Sequence, residues 1–346
     1  MRRLPSSDRA RHALVVVEAL QSSLVSRLER AAAAQGLEVP FEPVDWDRDG
    51  GRHGGGVRFG TGDNAAYDRA SVNVSAIHYD DMPERSLAGA TAISAIVHPR
   101  NPHAPSMHMH ISHTEVRAKG DQPARAVWRV MADLNPSMPY DADRDAFAAT
   151  LRQATGETYE EGAAQGDRYF HIPALDRHRG VTHFYLESWT SGDPDHDEVY
   201  ARSVGEAVID RYGTIIEGRM GTEASDADRA AQRAYHTLYL FQVLTLDRGT
   251  TSGLLIHSQN DVGIMGSLPS VVDPALLATW AQKVPAVQKP LVLALVEVLR
   301  RSDGQVTIEA KKALADAVRA HYQAHPEALE LQARGNVVPP TVANHR

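Results

Sequence analysis

Residues Thr91 to Val116 read TAISAIVHPRNPHAPSMHMHISHTEV. An apolar run with β-branched Ile93, Ile96 and Val97 meets a corner broken by Pro99, Pro102 and Pro105. A second alternating run, Met107 to Val116, leaves it. The spacing predicts strand, rigid turn, strand. His98, His103, His108, His110, His113 and Arg100 all fall in this stretch, a dense share of the chain's 17 histidines. Side chains alternate along a strand, so His108 and His110 share one face while Met107, Met109 and Ile111 share the other. One face is therefore polar and titratable, and the other is core.

At 346 residues the chain can bury a large core. Its 42% hydrophobic and 23% charged composition is that of a globular protein. The net charge of −8 and the scattered basic residues argue against a nucleic-acid partner. No apolar segment approaches the roughly 20 residues of a membrane helix. The first residues, MRRLPSSDRARHALVVVEAL, contain Glu18 and continue as an amphipathic helix, so they are expected to be mature protein and not a leader. With no cysteine there are no disulfides, thiolate metal sites or thiol nucleophiles, which fits a reducing cytoplasm.

Working outward, Val17, Leu20, Leu24, Leu28 and Ala31 recur at helical spacing before Gly36, where a left-handed cap is expected. The glycine-rich stretch Val44–Gly60 reads either as a hairpin lead-in or as an anion-holding loop around Arg52 and His53. Val72–Ala76 alternates as a half-buried strand, and Ala126–Leu134 adds another. Asp141 to Gly156 is helical, and the acidic, glycine-containing segment Glu157–Asp167 reads as a loop. His178–Trp189 is strand-like. Helices are expected over Asp197–Arg211 and from Asp226 to about Tyr239, the latter merging into an apolar β run that ends at Leu246. A strand pair is expected around His257–Asp261, and the chain is helical again after Asp273 to His325.

Consecutive strands without helical crossovers predict an α+β fold: a large antiparallel β-sheet flanked by helices on both faces. A single domain over residues 1–334 is expected, with added C-terminal helices at about 273–330 and a flexible tail over 335–346.

His98-Pro99-Arg100-Asn101-Pro102 followed by His108 resembles the signature of the oxygen-dependent coproporphyrinogen III oxidases. The lead-in around Trp46, Arg48 and the glycines, the strand Ala70–Ser75, Asp133-Leu134-Asn135-Pro136, and Asp247-Arg248-Gly249-Thr250 with Gly253-Leu254 are similar to further family motifs in the same order. The resemblance runs from about Leu14 to Pro269. It implies a homodimer and oxidative decarboxylation of two propionates of a tetrapyrrole to vinyl groups, with molecular oxygen as co-substrate and no flavin or haem. It also implies His108 as acid/base, Asp247 or Glu187 as partner of the pyrrole N–H groups, and Ser94 at the substrate. His98 and His108 match positions proposed for metal and proton transfer, so a divalent metal is considered there.

The chemistry calls for cations facing carboxylates, and Arg100 and Arg248 are the candidates, with Arg52 as a third and His110, His257 and Gln259 as further substrate contacts. Plainer readings stand beside these. Asp247 and Arg248 could pair and order a turn, Arg100 could cap a carbonyl, and His98 or His113 could be hydrogen-bonded core residues. His108 and His110 on one face point to a wet cleft or a metal, the cleft ranking first. The family's GGR loop is reduced here to His257-Ser258-Gln259, and two of its histidines align with Ala146 and Ala174. These departures keep two rivals open: a divergent paralogue acting on another carboxylate, and a non-catalytic tetrapyrrole-binding protein.

Overall fold

The computed structural model describes residues 2–121, 123–256 and 261–335. Seven strands form one antiparallel sheet: β1 (Glu42–Asp47), β2 (Gly54–Thr61), β3 (Tyr67–His78), β4 (Leu87–Pro99), β5 (Ser106–Val116), β6 (Arg125–Asn135) and β9 (Thr182–Trp189). They lie side by side in chain order, as tight connections between successive strands require. A two-residue pair, β7 (His171–Ile172) with β8 (Arg177–His178), forms a separate hairpin before β9. The expected α+β architecture is what the chain adopts.

Period-2 alternation divides the sheet. Val72, Val74, Ile93, Ala95, Met107, Met109, Ile111, Val130 and Ala132 are buried on one face against α1 (Asp8–Ala33) and α4 (Pro194–Arg219), which contribute Leu20, Leu24, Leu28, Val204, Val208 and Ile216. Phe147 and Leu151 of α2 (Asp141–Thr155) extend the same core. The other face carries Ser71, Asn73, Ser94, His108, His110 and Arg129, and helices cover it too. These are α5 (Asp226–Thr245), α6 (Arg248–Ile256), α7 (Asp261–Ile264), α8 (Pro274–Trp280), α9 (Lys289–Arg301) and α10 (Ile308–Ala324). They share a core of their own, with Leu240, Phe241 and Leu244 of α5 packed with Leu291, Leu295, Leu314 and Val318. A polar sheet face under an apolar helical layer cannot pack tightly against it, and space is left between them.

The proline corner is structural glue. Asn101 Nδ2 donates to the carbonyls of Met220 (2.9 Å) and Thr222 (2.6 Å), and Gln232 Nε2 donates to the Pro99 carbonyl at 2.9 Å. The turn is thereby fastened to the end of α4 and to α5.

Three segments differ from the expectations. Glu157–Asp167 is not a loop, because most of it belongs to α3 (Tyr159–Phe170). Its glycines are contact points and not breakers: a Cβ at Gly162 would come 2.2 Å from Phe184 Cε2, and one at Gly166 would come 2.9 Å from the backbone carbon of His183. The apolar run to Leu246 stays helical through Thr245, because every residue from Tyr235 to Thr245 is buried and this half of α5 so shows no amphipathic stripe. The strand pair is absent among the described residues, since α6 begins at Arg248 and α7 at Asp261. His257 and Gln259 lie outside the described residues.

Replacing Gly166 with Val should lower stability by about 1–3 kcal/mol, because the added methyls must push α3 off β9. Gly218→Ala, at a position with open space around it, should not. Urea midpoints of the two variants check this.

Candidate active site

Between the polar sheet face and the helical cover lies a cavity of about 690 Å³. That is within the range of sites for small molecules and cofactors. The sheet supplies Arg58, Asn73, Ser94, His108, His110, Arg129 and Tyr185 to its floor. The cover supplies Tyr239, Val243, Asp247, Arg248 and Ser267, while Tyr169 of α3 and Arg179 before β9 close one side.

Strand register sets the floor. Ser94 faces Asn73 on one side and His110 on the other, His110 faces Met131, and Met131 faces Tyr185. One row over, His108 pairs with Asp133 and Asp133 with His183. Small side chains at Ser71, Asn73 and Ser94 make the room.

Asp133 has no exposed side-chain surface and is held by Arg179 Nη2 at 2.8 Å and by Asn135 Nδ2 at 2.6 Å. Burial pushes its pKa up, but the Arg179 charge, with hydrogen bonds from His108 and Asn135, outweighs that and holds the carboxyl well below its ordinary range. Arg179 is itself 1% exposed; its Nη1 donates to Gln242 Oε1 at 2.7 Å, and its guanidinium lies 4.5 Å from the Phe170 ring centroid. His108 Nδ1 sits 3.2 Å from both Asp133 Oδ1 and Arg179 Nη2. A protonated Nδ1 serves the carboxylate, whose Oδ1 has no other donor, and an unprotonated Nδ1 accepts from the arginine. The ring is anchored either way. Its Nε2 is left for the cavity.

A second cluster forms around Glu187, whose side chain is wholly buried. Arg129 Nη2 reaches its Oε1 at 3.0 Å and Arg248 Nη2 reaches the same atom at 2.6 Å. Two cations thus share one carboxylate oxygen. Arg248 Nε and Nη1 and Arg129 Nε are buried without any hydrogen-bond partner. Buried guanidinium donors are rarely left unmade, and these open ones belong to residues that line the cavity. Asp247 does not pair with Arg248: its Oδ1 accepts from the Thr250 amide at 2.7 Å, as an N-cap of α6, and its Oδ2 accepts from Tyr169 Oη at 2.9 Å. Burial, and then the Asp247 charge, push the Tyr169 phenol well up, so it remains a donor. His110 is kept neutral: burial, with Arg129 and His108 nearby, lowers its pKa far below the usual histidine value.

Of the residues singled out from sequence, Ser94, His108, His110, Asp247 and Arg248 line this cavity, and Glu187 stands directly behind Arg248. Arg100 does not reach it. The Arg100 side chain turns away from the corner to pair with Asp63 and to donate from Nε to the Asn64 carbonyl at 3.0 Å. His98 is fully buried with Nδ1 bonded to Ser106 Oγ (2.8 Å) and Nε2 to the Ser267 carbonyl (3.1 Å). Both ring nitrogens are used, so His98 does not fit as a metal ligand beside His108. Among the described residues no three His, Asp or Glu side chains gather in a form suited to a metal ion.

The residues not identified from sequence are Asp133, Arg179, Arg129 and Arg58. Asp133 had a visible signal, a carboxylate within the apolar run Val130–Leu134. Arg179, which neutralises it, lies in a loop and gives none.

A family model described as coproporphyrinogen III oxidase matches residues 13–301. The match continues past Pro269, the end of the resemblance seen in the sequence, and takes in α8 and α9 while α10 lies beyond it.

Asp133→Asn should destabilise the protein by about 3–5 kcal/mol, since Arg179 is left as an uncompensated buried charge. Because the folded pKa of Asp133 is depressed, its contribution is present above its ordinary value of 3.8 and is lost as pH falls below that. Urea midpoints between pH 7 and 3 should show this acid loss in the parent protein and a smaller one in the variant. An identical acid limb in both would remove Asp133 as its source.

Proposed function

The chain belongs to the coproporphyrinogen III oxidase family, and from that premise we propose that it carries out the oxygen-dependent conversion of coproporphyrinogen III propionates to vinyl groups, giving protoporphyrinogen IX. For each arm the balance is propionate plus dioxygen plus one proton, giving vinyl, carbon dioxide and hydrogen peroxide. Dioxygen accepts the two electrons. The electron-rich porphyrinogen reacts with it directly, so the protein need only hold the tetracarboxylate, exclude water and manage protons.

The observation carrying this reading is the pair of guanidiniums, half-buried Arg129 and buried Arg248, whose open donors border the same cavity as His108 on its buried carboxylate. Arginine forks match propionate carboxylates, and they act strongly where water is excluded. Arg248 and Arg129 are assigned as carboxylate anchors, in place of Arg100. Asp247 is assigned to the pyrrole N–H groups, since each of its oxygens accepts one bond and retains a free lone pair. His108 Nε2 is assigned to proton transfer, with Asp133 and Arg179 fixing the ring. Glu187 serves through Arg129 and Arg248 and not by touching substrate. No step is assigned to a metal. The single domain, the homodimer and the cytoplasmic setting remain part of the same proposal, and the mass of the purified protein in solution tests the dimer. No described helix is long and apolar enough to cross a membrane.

Incubation with coproporphyrinogen III, first without and then with air, tests the activity. A divinyl product formed only in air is the expected result. Binding without turnover would leave a tetrapyrrole carrier, and neither binding nor turnover would leave a relative acting on another carboxylate. In the active protein, His108→Ala should lower kcat by about 10²–10⁴-fold with little change in affinity for the tetrapyrrole. An unchanged kcat would take His108 out of the reaction.

A further inference from the structure

Beside the β2 side of the cavity stand three more cations, of which Arg58 lines it while Arg69 and Lys311 lie near enough to interact, and none has a partner among the described residues. Arg58 lines the cavity opposite Asn73. Arg69 is four residues from Asn73 on β3, hence on the same face, and its Nε is buried with no hydrogen bond. Lys311 comes from α10, which packs on α6 and α7, and is 5% exposed without a hydrogen bond or ion pair. The charged groups facing Lys311 are Arg69, Arg58 and Asp68. Asp68, turned toward the helices at a bulge in β3, is already engaged, accepting from the Ser270 amide at 2.8 Å and from Ser270 Oγ.

Three cations against one occupied carboxylate is an arrangement that folding alone does not favour. A buried ammonium needs a counter-charge. Its absence already shows in Lys311, where burial first and then Arg69 and Arg58 bring the pKa down to about 8. Arg58 opens onto the same cavity as Arg129 and Arg248, which stand across the sheet from it, so one extended polyanion can meet both groups.

We propose that Arg58, Arg69 and Lys311 form an anion subsite for a carboxylate arm of the bound molecule, with its lysine supplied by a helix beyond the family match. This rests on the reading that the cavity takes a polycarboxylate. A carboxylate here would receive charge-assisted hydrogen bonds and relieve the repulsion among the three cations. It would also make α10 part of substrate recognition.

Fluorescence titration of the full chain with coproporphyrin III, a stable tetracarboxylate probe, at pH 6.5 to 9.5 tests this. The parent protein should bind with an affinity that falls as pH rises through about 8, where free Lys311 loses its proton. Lys311→Met should bind about tenfold to a hundredfold more weakly at pH 7 and lack that fall. Lys311→Arg should keep the affinity and also lack it. Arg58→Gln, a change at a half-buried strand position, should weaken binding and move the fall to higher pH, because one of the charges lowering the Lys311 pKa is gone. Binding by the parent that Lys311→Met leaves unchanged in strength and pH profile would overturn the subsite alone. A parent protein that does not bind the probe at all would overturn the reading of the cavity with it.

Discussion

A carboxylate with no access to water, Asp133, sits on the polar face of the sheet, and only another charge can neutralise it. Arg179 does so, and in doing so joins parts of the molecule that are far apart in sequence. The ion pair touches His108 on β5, Asp133 on β6, the loop before β9 and Gln242 on α5. Breaking either partner strands a charge in a low-dielectric interior. The sheet and its helical cover are thereby tied at the point where the imidazole must be held. The same bond that fixes the fold also positions the candidate proton carrier.

The cavity exists because the two layers are chemically mismatched. The sheet face toward α1 and α4 is apolar and closes tightly. The opposite face is lined with serines, an asparagine, histidines and arginines, against which leucines and phenylalanines gain nothing by packing. The helices satisfy their own hydrophobic surface among themselves, as the contacts between α5, α9 and α10 show. What remains between the layers is roofed and carries open guanidinium donors at one end and an unpartnered Arg58 at the other. Guanidinium donors left open in such a space favour a ligand with several carboxylates.

Long-range pairing separates the members of the motifs that reach the cavity from those that fasten the fold. In the proline corner, Asn101 and Pro99 fasten the turn to α4 and α5, Arg100 pairs outward with Asp63, and His98 is locked between Ser106 and Ser267. Only the strand that leaves the corner reaches the cavity. In the Asp247–Thr250 turn the aspartate caps a helix and faces the cavity, and the arginine crosses to Glu187. Adjacent residues of one motif therefore serve different ends.

The sequence by itself determined the antiparallel sheet and the two-faced strand of His108 and His110, while Ser94, Asp247 and Arg248 were marked through the family resemblance. Period-2 alternation and turn residues are local signals that survive without knowledge of partners. Only the tertiary structure decided that Glu157–Asp167 is helical, since its glycines serve a close approach to β9 that no local pattern encodes. It also decided which arginines meet at the cavity. Arg58, Arg129, Arg179 and Arg248 converge from β2, β6, a loop and α6, whereas Arg100, inside the most conspicuous motif, turns away. A guanidinium's role depends on which carboxylates stand within its reach, and that is fixed by strand register and helix packing across the whole chain.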